Sequence, residues 1–177
     1  MKKLTYLLLT LTMLVFSQGV SAEFVPFIEG ARPESETSVS FSESPSGIEV
    51  TLDVPGMTKS RIDIDGRSFS QLSVNNCGVK GREGEPGLPF KGFYLEVPPG
   101  VALSIDHIIS ENRPIPLEEQ VYPNQLNGFE ESDEFLYNSN AYASREYSPH
   151  RLVEITEDGF MRGRRVIFVE VNALQYN

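Results

Sequence analysis

Residues 84–100 read Gly84-Glu85-Pro86-Gly87-Leu88-Pro89-Phe90-Lys91-Gly92-Phe93-Tyr94-Leu95-Glu96-Val97-Pro98-Pro99-Gly100. Prolines and glycines bracket one apolar run, Phe93 to Val97, which reads as a turn, a short strand and a second turn beginning at Pro98. This is the punctuation of an all-β domain. Just before it, Gly78, Gly81, Gly84 and Gly87 recur every third residue and imitate collagen triplets. Four triplets are too few for a triple helix, so backbone freedom is the better use of these glycines, letting the chain cross from one sheet to another.

Working back towards the N-terminus, Ile48, Val50, Leu52 and Val54 alternate with Glu49, Thr51 and Asp53, and Val39 and Phe41 alternate with serines. A period of two marks half-buried strands, here joined by a hairpin loop over Ser42 to Gly47 and closed by Val54-Pro55-Gly56. Ile62 and Ile64 predict another strand, with Asp65-Gly66 as a tight turn into Phe69, Leu72 and Val74. Asp63 to Gly66 does not open a calcium loop, because position 72, where a bidentate Glu is needed, is Leu.

Working forward, Val101, Leu103, Ile105 and, after a phase slip, Ile108 and Ile109 predict a long strand carrying a bulge. The prolines of Arg113-Pro114-Ile115-Pro116-Leu117 suit an irregular extension. From Leu117 to Arg145 periodicity fades, and Tyr122, Phe129, Phe135, Tyr137 and Tyr142 accumulate beside the acidic run Glu130 to Glu134. A loop this long in a small domain is functional or disordered. Leu152 to Ile155 and Val166 to Val171 are the last strands, with Asp158-Gly159 turning between them and Arg162, Arg164 and Arg165 as a basic cluster on a solvated face. No helix longer than about two turns is signalled. The expected fold is all-β, an antiparallel β-sandwich of short strands with one long irregular loop.

At the N-terminus, Lys2 and Lys3 precede an apolar segment, Leu4 to Phe16, and then Val20-Ser21-Ala22. This is the pattern of a secretory signal cleaved after Ala22, too short to span a bilayer. Export to the periplasm or beyond the cell is therefore expected, with no membrane attachment after signal removal. Residues 1–22 are read as the signal, 23–37 as an extended arm and 38–177 as the domain. The signal holds two of the 15 Lys+Arg and none of the 25 Asp+Glu, so the remainder carries 13 basic against 25 acidic residues, a formal charge of −12. Nucleic acid is excluded as a partner, since it needs clustered cations.

Cys77 is the only cysteine, so no intrachain disulfide forms. Its turn-like setting, Asn75-Asn76-Cys77-Gly78, places neither His107 nor His150 beside it, which argues against a nucleophile. The two histidines and one cysteine make no metal site of the usual spacing, and no cofactor is indicated.

In order and spacing, Gly84–Pro89 (GEPGLP), Val97–Val101 (VPPGV), Tyr147–Ile155 (YSPHRLVEI), Arg162–Val166 (RGRRV) and Gln175–Asn177 (QYN) resemble the N-terminal propeptide of gingipain-type cysteine peptidases. The resemblance runs from Gly84 to Asn177 and, more weakly, from Ser38 to Asn75. It implies a sandwich-like prodomain that assists folding of the peptidase following it and blocks the cleft until proteolysis removes it. The catalytic His and Cys of those enzymes lie in a caspase-like domain after the propeptide. This segment is accordingly expected to carry no catalytic residue, and its partner is the cognate caspase-like peptidase domain in cis. The prodomain is expected to be cut short at its C-terminal end, which would leave a sheet edge uncovered beside Val166 to Val171.

The resemblance also implies a loop, lying between Pro123 and Tyr142, that presents a side chain like that of the preferred substrate. Leu126, Phe129 and Glu130 are its candidates, with Arg113 and Arg145, at the two ends of the loop, as the competing pair. Two other functions remain open: a sandwich-type surface-binding module with no peptidase attached, and an enzyme using Cys77.

Overall fold

The computed structural model describes residues 22–125 and 134–177. The signal segment ahead of Ala22 and the loop candidates Leu126, Phe129 and Glu130 lie outside the described residues. The fold is all-β. Strands β1 (Ala22–Pro26), β4 (Gly56–Ile64), β5 (Arg67–Ser73) and β8 (Gln120–Val121) form one sheet in that order. In the second sheet the order is β6 (Gly78–Lys80), β7 (Leu88–Glu96), β10 (Arg164–Asn172) and β9 (Val153–Met161). The hairpin of β2 (Ser38–Ser44) and β3 (Gly47–Asp53) stands as a separate two-stranded ribbon. All pairings are antiparallel except β5 with β8, which run parallel for two residues.

Much of this follows from local chemistry. Asp65 and Gly66 both have positive φ (50° and 74°), the geometry that lets a two-residue turn match the twist of β4 and β5. The ribbon pairs from Ser44 opposite Gly47 out to Ser38 opposite Asp53, and the edge of the Phe41 ring meets Phe93 with centroids 5.5 Å apart. Of the segment read as an extended arm, the first residues lie in β1, an edge strand paired with β4 from Ala22 opposite Ser60 to Pro26 opposite Gly56, while the stretch after it turns twice, with Ala31 N–H donating to Ile28 O and Ser35 N–H to Arg32 O. Phe27 then packs on the core, and Thr37 is fully buried.

Three expectations change. The alternation from Val101 to Ile109 does not form a strand; Leu103 packs beneath the second sheet, but its backbone joins no ladder. Strand β9 runs straight through Asp158-Gly159, and the turn falls at Arg162-Gly163, again with two positive φ values (51° and 82°). A register shift between Phe168 and Val169 accommodates the longer strand. Finally, β10 is not at an edge. It lies between β7 and β9, so Val166 to Val171 are covered on both sides, and β9 is the edge.

Two apolar clusters hold the layers. Met57, Leu72 and Val74 of the first sheet and its loops meet Val121 and Leu88, the first residue of β7, so this cluster bonds one sheet to the other. Ile167 and Val169 with Val97 form the second cluster under the inner face of β7, β10 and β9. Burial of each such side chain contributes about 1.5–3 kcal/mol. Among the described residues the one α-helix is α1 (Ser139–Ala143), capped by the Asn138 side chain, which accepts from the Asn140 N–H at 3.2 Å. No helix among them is long and apolar enough to cross a membrane.

Candidate functional site

Strand β8 is only two residues long, and the chain leaves it through Tyr122, Pro123, Asn124 and Gln125. After residues 126–133 it returns through Glu134, Phe135, Leu136 and Tyr137 into α1. These two limbs meet on a single seat, the turn of residues 81–87. Asn124 N–H donates to Glu85 O (2.7 Å), Gly84 N–H to Asn124 O (2.9 Å), and Gly87 N–H to Tyr122 O (3.0 Å), with Pro86 opposite Pro123 as an isolated antiparallel bridge. The Asn124 side chain adds a bond to Gly81 O (2.6 Å). The second limb docks by Asn138 N–H donating to Gly84 O (2.8 Å).

Gly84 thus serves both limbs, its N–H facing one and its carbonyl the other. A φ of +77° makes this possible, and a Cβ there would lie 3.1 Å from Asn138 N. A seat that must turn sharply and be approached this closely explains why the sequence places glycines and prolines here.

Gln125 joins the limbs directly. Its Nε2 donates to Leu136 O (2.9 Å), and its Oε1 accepts from Leu136 N–H (3.1 Å). The same Nε2 donates to Pro123 O on its own limb (3.3 Å). A side-chain amide here reproduces the pair of bonds that two opposed residues exchange in an antiparallel ladder.

Beneath the clamp lies an aromatic floor. The buried ring of Phe69 has Phe135 (5.5 Å), Tyr137 (6.0 Å) and Tyr122 (6.1 Å) around it, so both limbs contribute rings to one cluster. Tyr137 stacks on Tyr142 (4.7 Å, 16°), the Arg67 guanidinium lies 4.9 Å from the Tyr137 ring centre, and the edge of Tyr142 meets Tyr176. Such geometries add about 0.5–1.5 kcal/mol per pair beyond burial. Burial, then the neighbouring Tyr137, Tyr176 and Glu85, push the Tyr142 phenol well above its ordinary range, and burial does the same for Tyr122 and Tyr176. Tyr142 stays neutral and donates to Val121 O (2.7 Å), while Tyr137 donates to the Gln120 side chain (2.8 Å).

Neither arginine proposed from the sequence belongs to this seat. Arg113 donates to Pro26 O at the edge of the first sheet (3.2 Å), and Arg145 is exposed beyond α1. Two arginines of the basic cluster are partnered: Arg164 pairs with Glu96 (2.9 Å), and Arg165 grips Asp158 with two nitrogens while donating to Val101 O (2.7 Å). Cys77 packs against the first core beside Thr37 and Lys91, and burial raises its thiol. His150 lies 3.9 Å from Glu146. Among the described residues no group of three or more His, Cys, Asp or Glu could hold a metal. Sequence reasoning missed Gln125 and Gly84 as site residues; the signal within reach was the density of aromatics in a stretch without periodicity.

Residues 29–177 match the family described as Propeptide_C25. Among solved structures the chain resembles one that gives insight into the zymogenic latency of gingipain K from Porphyromonas gingivalis. The TM-score is 0.70 at 20% identity, covering 88% of this chain and 88% of that one. It also resembles the complex of Porphyromonas gingivalis RgpB pro- and mature domains, with a TM-score of 0.66 at 16% identity, covering 78% of this chain and 74% of that one. No curated protein sequence matches significantly.

Proposed function

Because the chain belongs to the Propeptide_C25 family, we propose that it is the propeptide of an exported gingipain-like cysteine peptidase, assisting its folding and holding it latent until proteolysis removes it. The peptidase is its partner in cis. The observation that carries this reading is the seat: both limbs flanking residues 126–133 are fixed to one turn and to one aromatic floor. A segment delivered from a rigid base loses less freedom on entering a cleft, and this is how a short stretch of chain gains affinity.

The segment also carries a specificity. From Pro114 to Ser144 the chain has no Lys or Arg. A pocket that selects Arg does so by a charge-assisted, bidentate contact, which Leu126, Phe129 and Glu130 cannot make. The cognate peptidase is therefore specific for neither Arg nor Lys, and Leu126 or Phe129 occupies an apolar pocket. The engagement of Arg113 with Pro26 O favours this choice over the arginine pair. The test is inhibition of the chain's own catalytic domain. Leu126→Ala or Phe129→Ala is expected to relieve it while Arg113→Ala and Arg145→Ala do not; the reverse pattern overturns the specificity.

A further inference from the structure

We infer that the β2–β3 ribbon is a docking element for the peptidase: the apolar face at its tip, with Glu43 beside it, takes an apolar surface of the peptidase that carries a Lys or Arg. This rests on the functional reading above and deepens it, because it gives the partner a contact of stated chemistry.

Register and alternation sort the ribbon's side chains into two faces. Val39 lies opposite Leu52, Phe41 opposite Val50 and Glu43 opposite Ile48, so these six share one face. The serines of β2, with Thr51 and Glu49 of β3, occupy the other. At the root of the first face Val39, Val50 and Leu52 are half-buried. Phe41 and Ile48, nearer the tip, keep 50% and 39% of their surface in solvent, and Glu43 is exposed with them. The edge of Phe41 meets the half-buried ring of Phe93, so the open apolar face runs from the ribbon onto β7. A two-stranded ribbon is marginal in water by itself, and this one belongs to neither sheet. Covering its tip stabilises it.

Charge selects the occupant. From Ser38 to Asp53 the ribbon has three acids, Glu43, Glu49 and Asp53, and no Lys or Arg. A second copy would bring the same formal charge of −10, and a two-fold pairing would set Glu43 against Glu43. A surface with a cation beside its apolar patch is attracted instead. Held in cis, the peptidase meets the ribbon at a high effective concentration, so a patch of this size is sufficient.

The experiment adds the whole chain to its own catalytic domain, comparing wild type with Phe41→Ser, Ile48→Ser, Glu43→Gln and, on the opposite face, Glu49→Gln. The inhibition constant is measured at low and high salt, together with the denaturation midpoint and sedimentation of each chain. Phe41→Ser and Ile48→Ser should each weaken inhibition about tenfold. Glu43→Gln should weaken it about threefold and reduce its salt dependence, whereas Glu49→Gln should match wild type. If Ser at either apolar position lowers the midpoint, the isosteric Glu43→Gln and Glu49→Gln pair decides. Wild-type inhibition by Ile48→Ser and Glu43→Gln overturns the inference and leaves the latency reading standing. Equal weakening by Glu43→Gln and Glu49→Gln also overturns it, since general charge would then replace a contact on one face. A wild-type dimer that Ile48→Ser splits without loss of inhibition gives the face to a second copy and overturns it too. A wild-type chain that does not inhibit at all overturns both readings.

Discussion

Gly84 and Gly100 have nearly the same backbone, with φ of +77° and +78°, but different surroundings. A Cβ at Gly100 would meet nothing within 4 Å; at Gly84 it would lie 3.1 Å from Asn138 N and 3.4 Å from Tyr137 N. Alanine at Gly100 therefore measures left-handed strain alone, about 1–2 kcal/mol, reduced by the stiffer unfolded chain to about 1. At Gly84 the same strain applies, and the methyl group also pushes away the limb whose Asn138 N–H bonds Gly84 O. Loss of that bond adds about 1 kcal/mol, for a total near 2. In a domain of this size the expected drops in Tm are about 2–4 °C for Gly100→Ala and about 4–8 °C for Gly84→Ala. Scanning calorimetry on the two variants side by side reads the difference directly. Equal shifts, or a larger one at Gly100, would show that Gly84 is needed for its φ and not for the docking of the second limb.

The remaining predictions concern titration and reactivity. Hydrogen bonds from Arg165 hold the Asp158 carboxyl below its usual range. A depressed carboxylate contributes stability that is present above its unfolded value, near 3.9, and is lost as pH falls through the folded value. Urea midpoints should therefore decline below about pH 4, and Asp158→Asn should flatten that decline; an unchanged acid slope in the variant refutes the assignment. Burial raises the Cys77 thiol despite Lys91 nearby. At pH 8 it should alkylate more slowly than the same cysteine in an unstructured peptide, and a matching rate would mean that the thiol is not held against the core.

The ribbon, the β4–β5 turn and the central run of β7 were legible because each couples a two-residue period to turn residues at its ends. Where the reading failed, the physical reason differs from case to case. Alternation alone fixes neither burial nor pairing: of this run Leu103 packs on the second core without a ladder, while Val101, Ile105, Ile108 and Ile109 are exposed. Asp158-Gly159 is the stronger local turn signal, yet the β9–β10 hairpin closes at Arg162-Gly163 and β9 runs through Asp158-Gly159. Strand β7 begins at Leu88 with a buried proline inside it; Pro89 donates nothing to the ladder, and its carbonyl accepts from Ala173 N–H, beyond the end of β10. The site was visible only as an aromatic-rich gap. Its clamp is a side-chain amide contacting a backbone 11 residues away, and no local pattern announces that.

Strand β10, last in the chain, lies between β7 and β9. Its position sets a clock on assembly. Until residues 164–172 have been synthesised, β7 lacks its main partner, β9 has nothing to pair with, and Ile167 and Val169 are missing from the second core. The β4–β5 hairpin can close early because its partners are adjacent in sequence, whereas the second sheet waits for a pairing whose partners lie from 70 residues apart, Glu96 with Val166, to 82 apart, Phe90 with Asn172. The second sheet is thus the last part of the fold to be completed. Every pairing of β7 and β9 in that sheet except β6 with β7 is made by this one strand, so the fold is complete only when it arrives.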